Sequence, residues 1–165
     1  MATTKADYLA QWLRDAHAME EQAEQMLGST AERVEAYPEL RQRLLQHQTE
    51  TRDQARLIQS CLARYETSNS ALKDMAGKAT ALAQSVSGLF VSDEVVKGLM
   101  AGITFEHMEV AAYSIIVAAA RRLGDNETVE ICSRILLEED EMAAWLEEKA
   151  PEIVEQFLAA EATSA

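Results

Sequence analysis

Four long segments of this chain repeat apolar residues at alternating spacings of three and four, the pattern of one buried helix face. The first seam reads Leu9, Leu13, Ala16, Glu20, Ala23, Leu27, Thr30, Val34. A second reads Leu40, Leu44, His47, Glu50 or Thr51, Gln54, Ile58, Cys61. A third runs Val96, Leu99, Ile103, Glu106, Val110, Tyr113, Val117, Ala120, and a fourth Val129, Cys132, Leu136, Glu139, Ala143, Leu146. Near its middle each seam carries a glutamate: Glu20, Glu50, Glu106 or Glu139. An ionised carboxylate on a core-facing seam costs several kcal/mol or more unless it is paired, protonated or bound to a metal. Four helices sharing that cost point to one internal site.

The boundaries follow from local signals. Thr3 or Thr4 can cap a first helix that runs to about Ala36, with Gly28 a weak point inside it. Pro38 suits the first turn of a second helix ending near Tyr65 or Glu66. Thr67, Ser68, Asn69 and Ser70 form a polar break, followed by a weaker Ala-rich helical piece from Ala71 to about Val86. Ser92 is placed to cap a third long helix, with Asp93 and Glu94 in its first turn, ending near Leu123–Gly124. A fourth begins around Asp125 or Asn126 and reaches about Lys149, and Pro151 opens a short terminal helix. The expected fold is all-α: a ferritin-like four-helix bundle forming a single domain over residues 1–165. Two antiparallel hairpins would be joined by a crossover of about 25 residues, long enough to return along the bundle.

Turn counting brings the carboxylates together. Glu20 lies roughly 17 residues before the turn near position 37 and Glu50 roughly 13 after it, a difference of about one helical turn in height. Glu106 and Glu109 lie roughly 18 and 15 residues before the turn near position 124, and Glu139 roughly 15 after it. Glu106 and Glu109 form an i, i+3 pair on one face, and Tyr113, four beyond Glu109, is in reach to hydrogen-bond it. Small neighbours (Ala16, Ala23, Ala143) leave room for a metal-filled centre. Two divalent ions bring about four positive charges, which several inward glutamates can balance, as in the di-iron and di-manganese bundles.

Composition narrows the classes. The 165 residues are 48% hydrophobic but 5% aromatic, with 6 Gly and 2 Pro, as a helical protein requires. A net charge of −13 disfavours nucleic acid and anionic membrane surfaces as partners. No run reaches the roughly 18 consecutive apolar residues of a membrane span. The start, Met1-Ala2-Thr3-Thr4-Lys5, lacks the apolar core of a signal peptide, so a cytoplasmic address is expected. Cys61 and Cys132 are far apart in sequence and read as buried free thiols. Phosphate-loop, nucleophile-elbow and Cys-x-x-Cys motifs are missing from the sequence. His17, offset from its seam, reads as a surface or supporting residue, and Trp12 and Trp145 as core or interface packing.

Around these positions the chain resembles the YciE/YciF family of bacterial ferritin-like stress proteins. The resemblance lies in Trp12 to Gln22, in His47-Gln48-Thr49-Glu50-Thr51-Arg52-Asp53-Gln54, in Phe105-Glu106-His107-Met108-Glu109-Val110-Ala111-Ala112-Tyr113, and in Leu137-Glu138-Glu139-Asp140-Glu141. It implies a rubrerythrin-like bundle, a homodimer, and a di-metal site of Fe or Mn with Glu20, Glu50, Glu106, Glu109 and Glu139 as ligands. His47 enters as a ligand or as a partner to Glu50. The chain departs from the ferritin-like Glu-x-x-His pattern: Glu50 is followed at +3 by Asp53, Glu139 by Met142, and position 54 is Gln. Two functions follow as expectations. One is a di-metal protein of the stress response, with redox or peroxide chemistry at the carboxylates. The other is a non-catalytic bundle that dimerises or binds a partner around a degenerate site.

Overall fold

The structure, a computed structural model, describes residues 3–65 and 93–164. Four helices account for nearly all of them: α1 (Lys5–Arg33), α2 (Pro38–Ala63), α3 (Glu94–Leu123) and α4 (Asn126–Ser164). The Ala-rich piece expected over 71–86 and the Ser92 cap lie outside the described residues. α1 opens on a capping box in which the Thr4 hydroxyl accepts from Asp7 N while Asp7 accepts from Thr4 N. It stops at Arg33, three residues short of expectation, and Pro38 opens α2 as expected. Gly124 ends α3 in the left-handed region at φ 76°, a conformation that costs glycine little. Gly28 has a reason of its own: a Cβ there would come within 2.5 Å of Gln48 Nε2, whose amide bonds the Glu24 carbonyl of α1.

The expected short helix after Pro151 does not form separately. α4 runs on unbroken through Pro151 to Ser164. Proline forfeits one backbone hydrogen bond, but Ile153 beyond it is buried in the same apolar cluster as Val34, Leu40 and Leu146, which holds the extra turns in line.

α1 packs on α2 and α3 on α4, and the hairpins meet through α1–α3 and α2–α4. Arg33–Glu94 at one end of the α1–α3 contact and Glu20–Tyr113 further along make those helices antiparallel. Lys149–Glu39 and Arg64–Glu127 do the same for α2 and α4. α2 therefore runs parallel to α3, and the end of α2 and the start of α3 lie at opposite ends of the bundle. That is the ferritin-like arrangement.

The core is split in two. Leu9, Leu13, Ile58, Cys61, Ile116, Ala120, Cys132 and Ile135 belong to a cluster near the α3–α4 turn. Leu27, Val34, Leu40, Leu44, Leu99, Met142 and Leu146 form the other, near the α1–α2 turn, with Trp145 against it. Between them lies a buried polar layer. α3 is long and apolar enough in composition to cross a membrane. Here that apolar surface is divided between the core and an outer face carrying Met100, Met108 and Ile115.

Asp125 closes the second hairpin. Its carboxylate accepts from Thr128 N (3.1 Å) and Thr128 Oγ1 (2.6 Å) at the start of α4, and from Arg64 Nη2 (3.3 Å) and the Tyr65 hydroxyl at the end of α2. Burial pushes its pKa up, but these bonds and the Arg64 charge outweigh that and lower it to about 2. The stabilisation is thus complete above the ordinary carboxylate pKa and is lost as pH falls through about 2. Asp125→Ala is expected to cost about 2 kcal/mol in urea denaturation at neutral pH. The gap from wild type should close between pH 4 and pH 2; a constant gap would show that the carboxylate charge is not what stabilises the hairpin.

Candidate metal centre

The helical seams bring their polar residues into the layer between the two apolar clusters. His47 of α2, Glu106 and Glu109 of α3 and Glu139 of α4 each offer one ligand atom, and these atoms all lie within 4.8 Å of one another. All four are buried, at most 1% exposed. Glu20 of α1 is also wholly buried beside them, its pKa raised by that burial and then by the Glu139 charge. Gln54 and Thr51, on the same face of α2, complete the layer at 1% exposure each.

Glu50 does not join the cluster. The stripe on α2 runs His47, Thr51, Gln54, and Glu50 stands about 100° round the helix from Thr51, partly exposed. It reaches back to His47 Nδ1 (2.8 Å) and is held by Arg43 Nη1 (3.1 Å) and Gln46 Nε2 (2.9 Å). This fixes the imidazole ring so that Nε2 faces the centre, 3.1 Å from Glu106 Oε2 and 3.2 Å from Glu139 Oε2. Glu50 is thus placed as an orienting partner of His47.

Tyr113 bonds the other carboxylate from the one anticipated. Its hydroxyl donates to Glu20 Oε1 across the α1–α3 interface, not to Glu109 on its own helix. A helical side chain leans toward the N-terminal turn, and the long tyrosine carries its hydroxyl across to the facing helix. His17 is buried, not on the surface, with Nδ1 3.8 Å from Glu21 and no part in the cluster. His107 is exposed and pairs with Glu147 at 2.8 Å. Gln54 and Thr51 are the polar groups that sequence reasoning noted on the seam without assigning a role. Their spacing of +4 and +7 from His47 is the available signal.

The electrostatics is that of a site short of positive charge. Burial, then the Glu139 charge, lifts Glu20 well above the carboxylate range; burial, then Glu20 and Glu139, does the same to Glu109. Burial also raises Glu106 to about 7 against the opposing bond from His47. Burial would lower His47, but hydrogen bonds to Glu106, Glu139 and Glu50 outweigh it and raise the imidazole to about 11. The Glu50 carboxylate is held down to about 2, chiefly by His47. One protonated imidazole is the only cation inside a layer of four buried carboxylates among the described residues. Glu20 Oε2, Glu109 Oε1, Glu139 Oε1 and Gln54 Oε1 have no hydrogen-bond partner among them. Orphaned, converging, oxygen-rich donors with one imidazole fit a hard or borderline divalent cation.

A cavity of about 380 Å³ between α1 and α3 connects to the layer. Leu27, Leu44, Leu99, Gly102 and Leu146 form its walls, and Glu106 lies at its inner limit.

Comparison with known proteins places this arrangement in a family. Residues 4–159 match the family described as a domain of unknown function, DUF892. The chain belongs to the DUF892 family. A solved protein from Xanthomonas campestris pv. campestris is 38% identical, with a TM-score of 0.78 covering 96% of this chain and 99% of that one. The E. coli stress protein YciF has the same fold at 23% identity, with a TM-score of 0.75 covering 93% of this chain and 99% of that one. The DUF892 bundle is thus the scaffold, and the buried layer is the part of it with chemistry to offer.

Glu109→Gln keeps the shape and removes a buried charge or a forced proton. With chelator present, the variant is expected to be more stable than wild type by about 2 kcal/mol in urea denaturation. A loss of similar size would mean that Glu109 is a satisfied structural group.

Proposed function

We propose that this DUF892 protein holds two divalent ions, iron or manganese, in the buried layer and acts in a stress response. The observation that carries the reading is the convergence of His47, Glu106, Glu109 and Glu139 within 4.8 Å in a layer with oxygens on Glu20, Glu109 and Glu139 left unpartnered. Glu106, Glu109, Glu139 and His47 would hold the ions, with Glu20 completing the set and Tyr113 fixing its carboxylate. Bound iron or manganese would supply one-electron redox steps toward O₂ or a peroxide. The chain's own residues prepare the site for this. Glu50, Arg43 and Gln46 orient the imidazole, the apolar clusters above and below exclude water, and the α1–α3 cavity admits small molecules as far as Glu106. The stress role is supported by the fold shared with the E. coli stress protein YciF.

A rival reading rests on His47. Protonated, with its pKa near 11, it already serves as an internal cation between Glu50, Glu106 and Glu139. A bundle built that way needs no metal and works as a dimerisation or partner-binding module. Metal content separates the two. Protein purified without a nickel column and loaded with Fe(II) or Mn(II) is expected to retain one to two ions per chain. Saturation should raise stability by about 3 kcal/mol at a hundredfold excess over Kd. Retention below about 0.2 ions per chain, with no shift in melting, would favour the metal-free module.

A homodimer through α3 forms part of the same proposal. Met100, Met108 and Ile115 are 64%, 40% and 56% exposed and lie within about 80° of one another round the helix. Ile115→Glu is expected to shift the sedimenting species from dimer to monomer. An unchanged dimer would put the contact on another face.

A further inference from the structure

The metal layer leaves one nucleophilic pair unused. Cys61 and Cys132 are free thiols, each wholly buried in the apolar cluster beside the layer. The antiparallel register of α2 and α4 is pinned by Gln54–Glu138 on one side and by Arg64–Thr128 and Arg64–Glu127 on the other. That register sets positions 61 and 132 level on facing helices, inside one buried cluster. Buried cysteines acting as small hydrophobes need no polar company. Cys61 has it close by: the Arg64 guanidinium, three residues on, donates to the Thr128 hydroxyl, four residues before Cys132. Arg64 is anchored there by Asp125 and Glu127.

These contacts make the pair unequal. The bond from Cys132, then those from Thr128 and Arg64, outweigh burial and bring Cys61 down to about 6, while Cys132 is pushed up. A guanidinium held by Asp125 and Thr128 three residues from Cys61 favours its thiolate, which suits Cys61 to attack and Cys132 to resolve. Cys61 also lies in the last turn of α2, and helix ends open more readily than helix middles.

We propose that Cys61 and Cys132 form a redox-active dithiol, oxidised by hydrogen peroxide to a disulfide that ties the end of α2 to the start of α4. The Cys61 sulfur attacks one peroxide oxygen: an S–O bond forms, the O–O bond breaks, and the leaving hydroxide takes up a proton to become water. The Cys132 sulfur then attacks Cys61: the S–S bond forms, the S–O bond breaks, and a second water leaves with the Cys132 proton. Two thiols are oxidised and one peroxide is reduced to two waters. A small dithiol reverses the change by exchange.

The reaction requires no metal, so the test uses the chelator-treated full-length chain and stands or falls apart from the metal reading. Treatment with hydrogen peroxide is expected to take the titratable thiols, counted after denaturation, from two to none. Intact mass should fall by about 2 Da, as one intramolecular disulfide requires, with a cross-linked peptide pair containing both cysteines and recovery on adding dithiothreitol. Cys132→Ala should stop at an oxygen adduct on Cys61, a gain of about 16 Da or more. Cys61→Ala should leave Cys132 unoxidised at the same dose. Persistence of both thiols in the wild-type protein, a gain of oxygen without a cross-link, or a cross-link only between chains would overturn the proposal. The wild-type mass decides the matter even if a variant fails to fold.

Discussion

Burial of carboxylates at the centre of a helical bundle is the constraint from which the rest of this structure follows. Glu20, Glu106, Glu109 and Glu139 are buried, and taking an ionised carboxylate out of water costs several kcal/mol even after relaxation. The chain meets that cost in three visible ways. His47 enters the layer as a cation, Tyr113 donates to Glu20, and Glu50 with Arg43 holds the imidazole from outside. These leave oxygens on Glu20, Glu109 and Glu139 without partners among the described residues. A layer that is incompletely satisfied by protein groups has its remaining demand directed at a cation.

The same constraint shapes the fold around it. A polar layer cannot be continuous with an apolar core, so the core divides into two clusters, each with its own large aliphatic side chains. Those clusters carry the packing energy that offsets the layer. They also keep the layer dry, which strengthens every electrostatic interaction inside it. α2 and α4 contribute to both the layer and the thiol pair: Cys61 lies seven residues beyond Gln54 and Cys132 seven before Glu139, about two turns or 10 Å along the axis. The carboxylate layer and the thiol pair are thus stacked on the same two helix faces.

Much of this was legible in sequence because helical periodicity fixes which side chains face inward. Glu20, Glu106 and Glu139 fell on seams of alternating three and four, and Glu109 followed from its i, i+3 partner. Glu50 and Thr51 were harder to separate, because a seam drifts as 3.6 residues per turn departs from 3.5, and one position changes the direction by 100°. The donor role of Tyr113 toward Glu20 and the meeting of Cys61 with Cys132 depend on register between different helices. Periodicity within one helix does not contain that register. Pro151 misled because local propensity marks a start, while the burial of Ile153 keeps α4 continuous. The missing Glu-x-x-His pattern is visible in the sequence, but the His47-x-x-Glu50 pairing that orients the ring depends on His47 facing the layer.

The central claim is that the orphaned oxygens of the layer are cation ligands, and locating a bound ion tests it most directly. Crystals grown with Mn(II) and measured at a wavelength where manganese scatters anomalously should show peaks among His47, Glu106, Glu109, Glu139 and Glu20. Anomalous density absent from that layer, or confined to surface acids such as Asp140 and Glu141, would contradict the account.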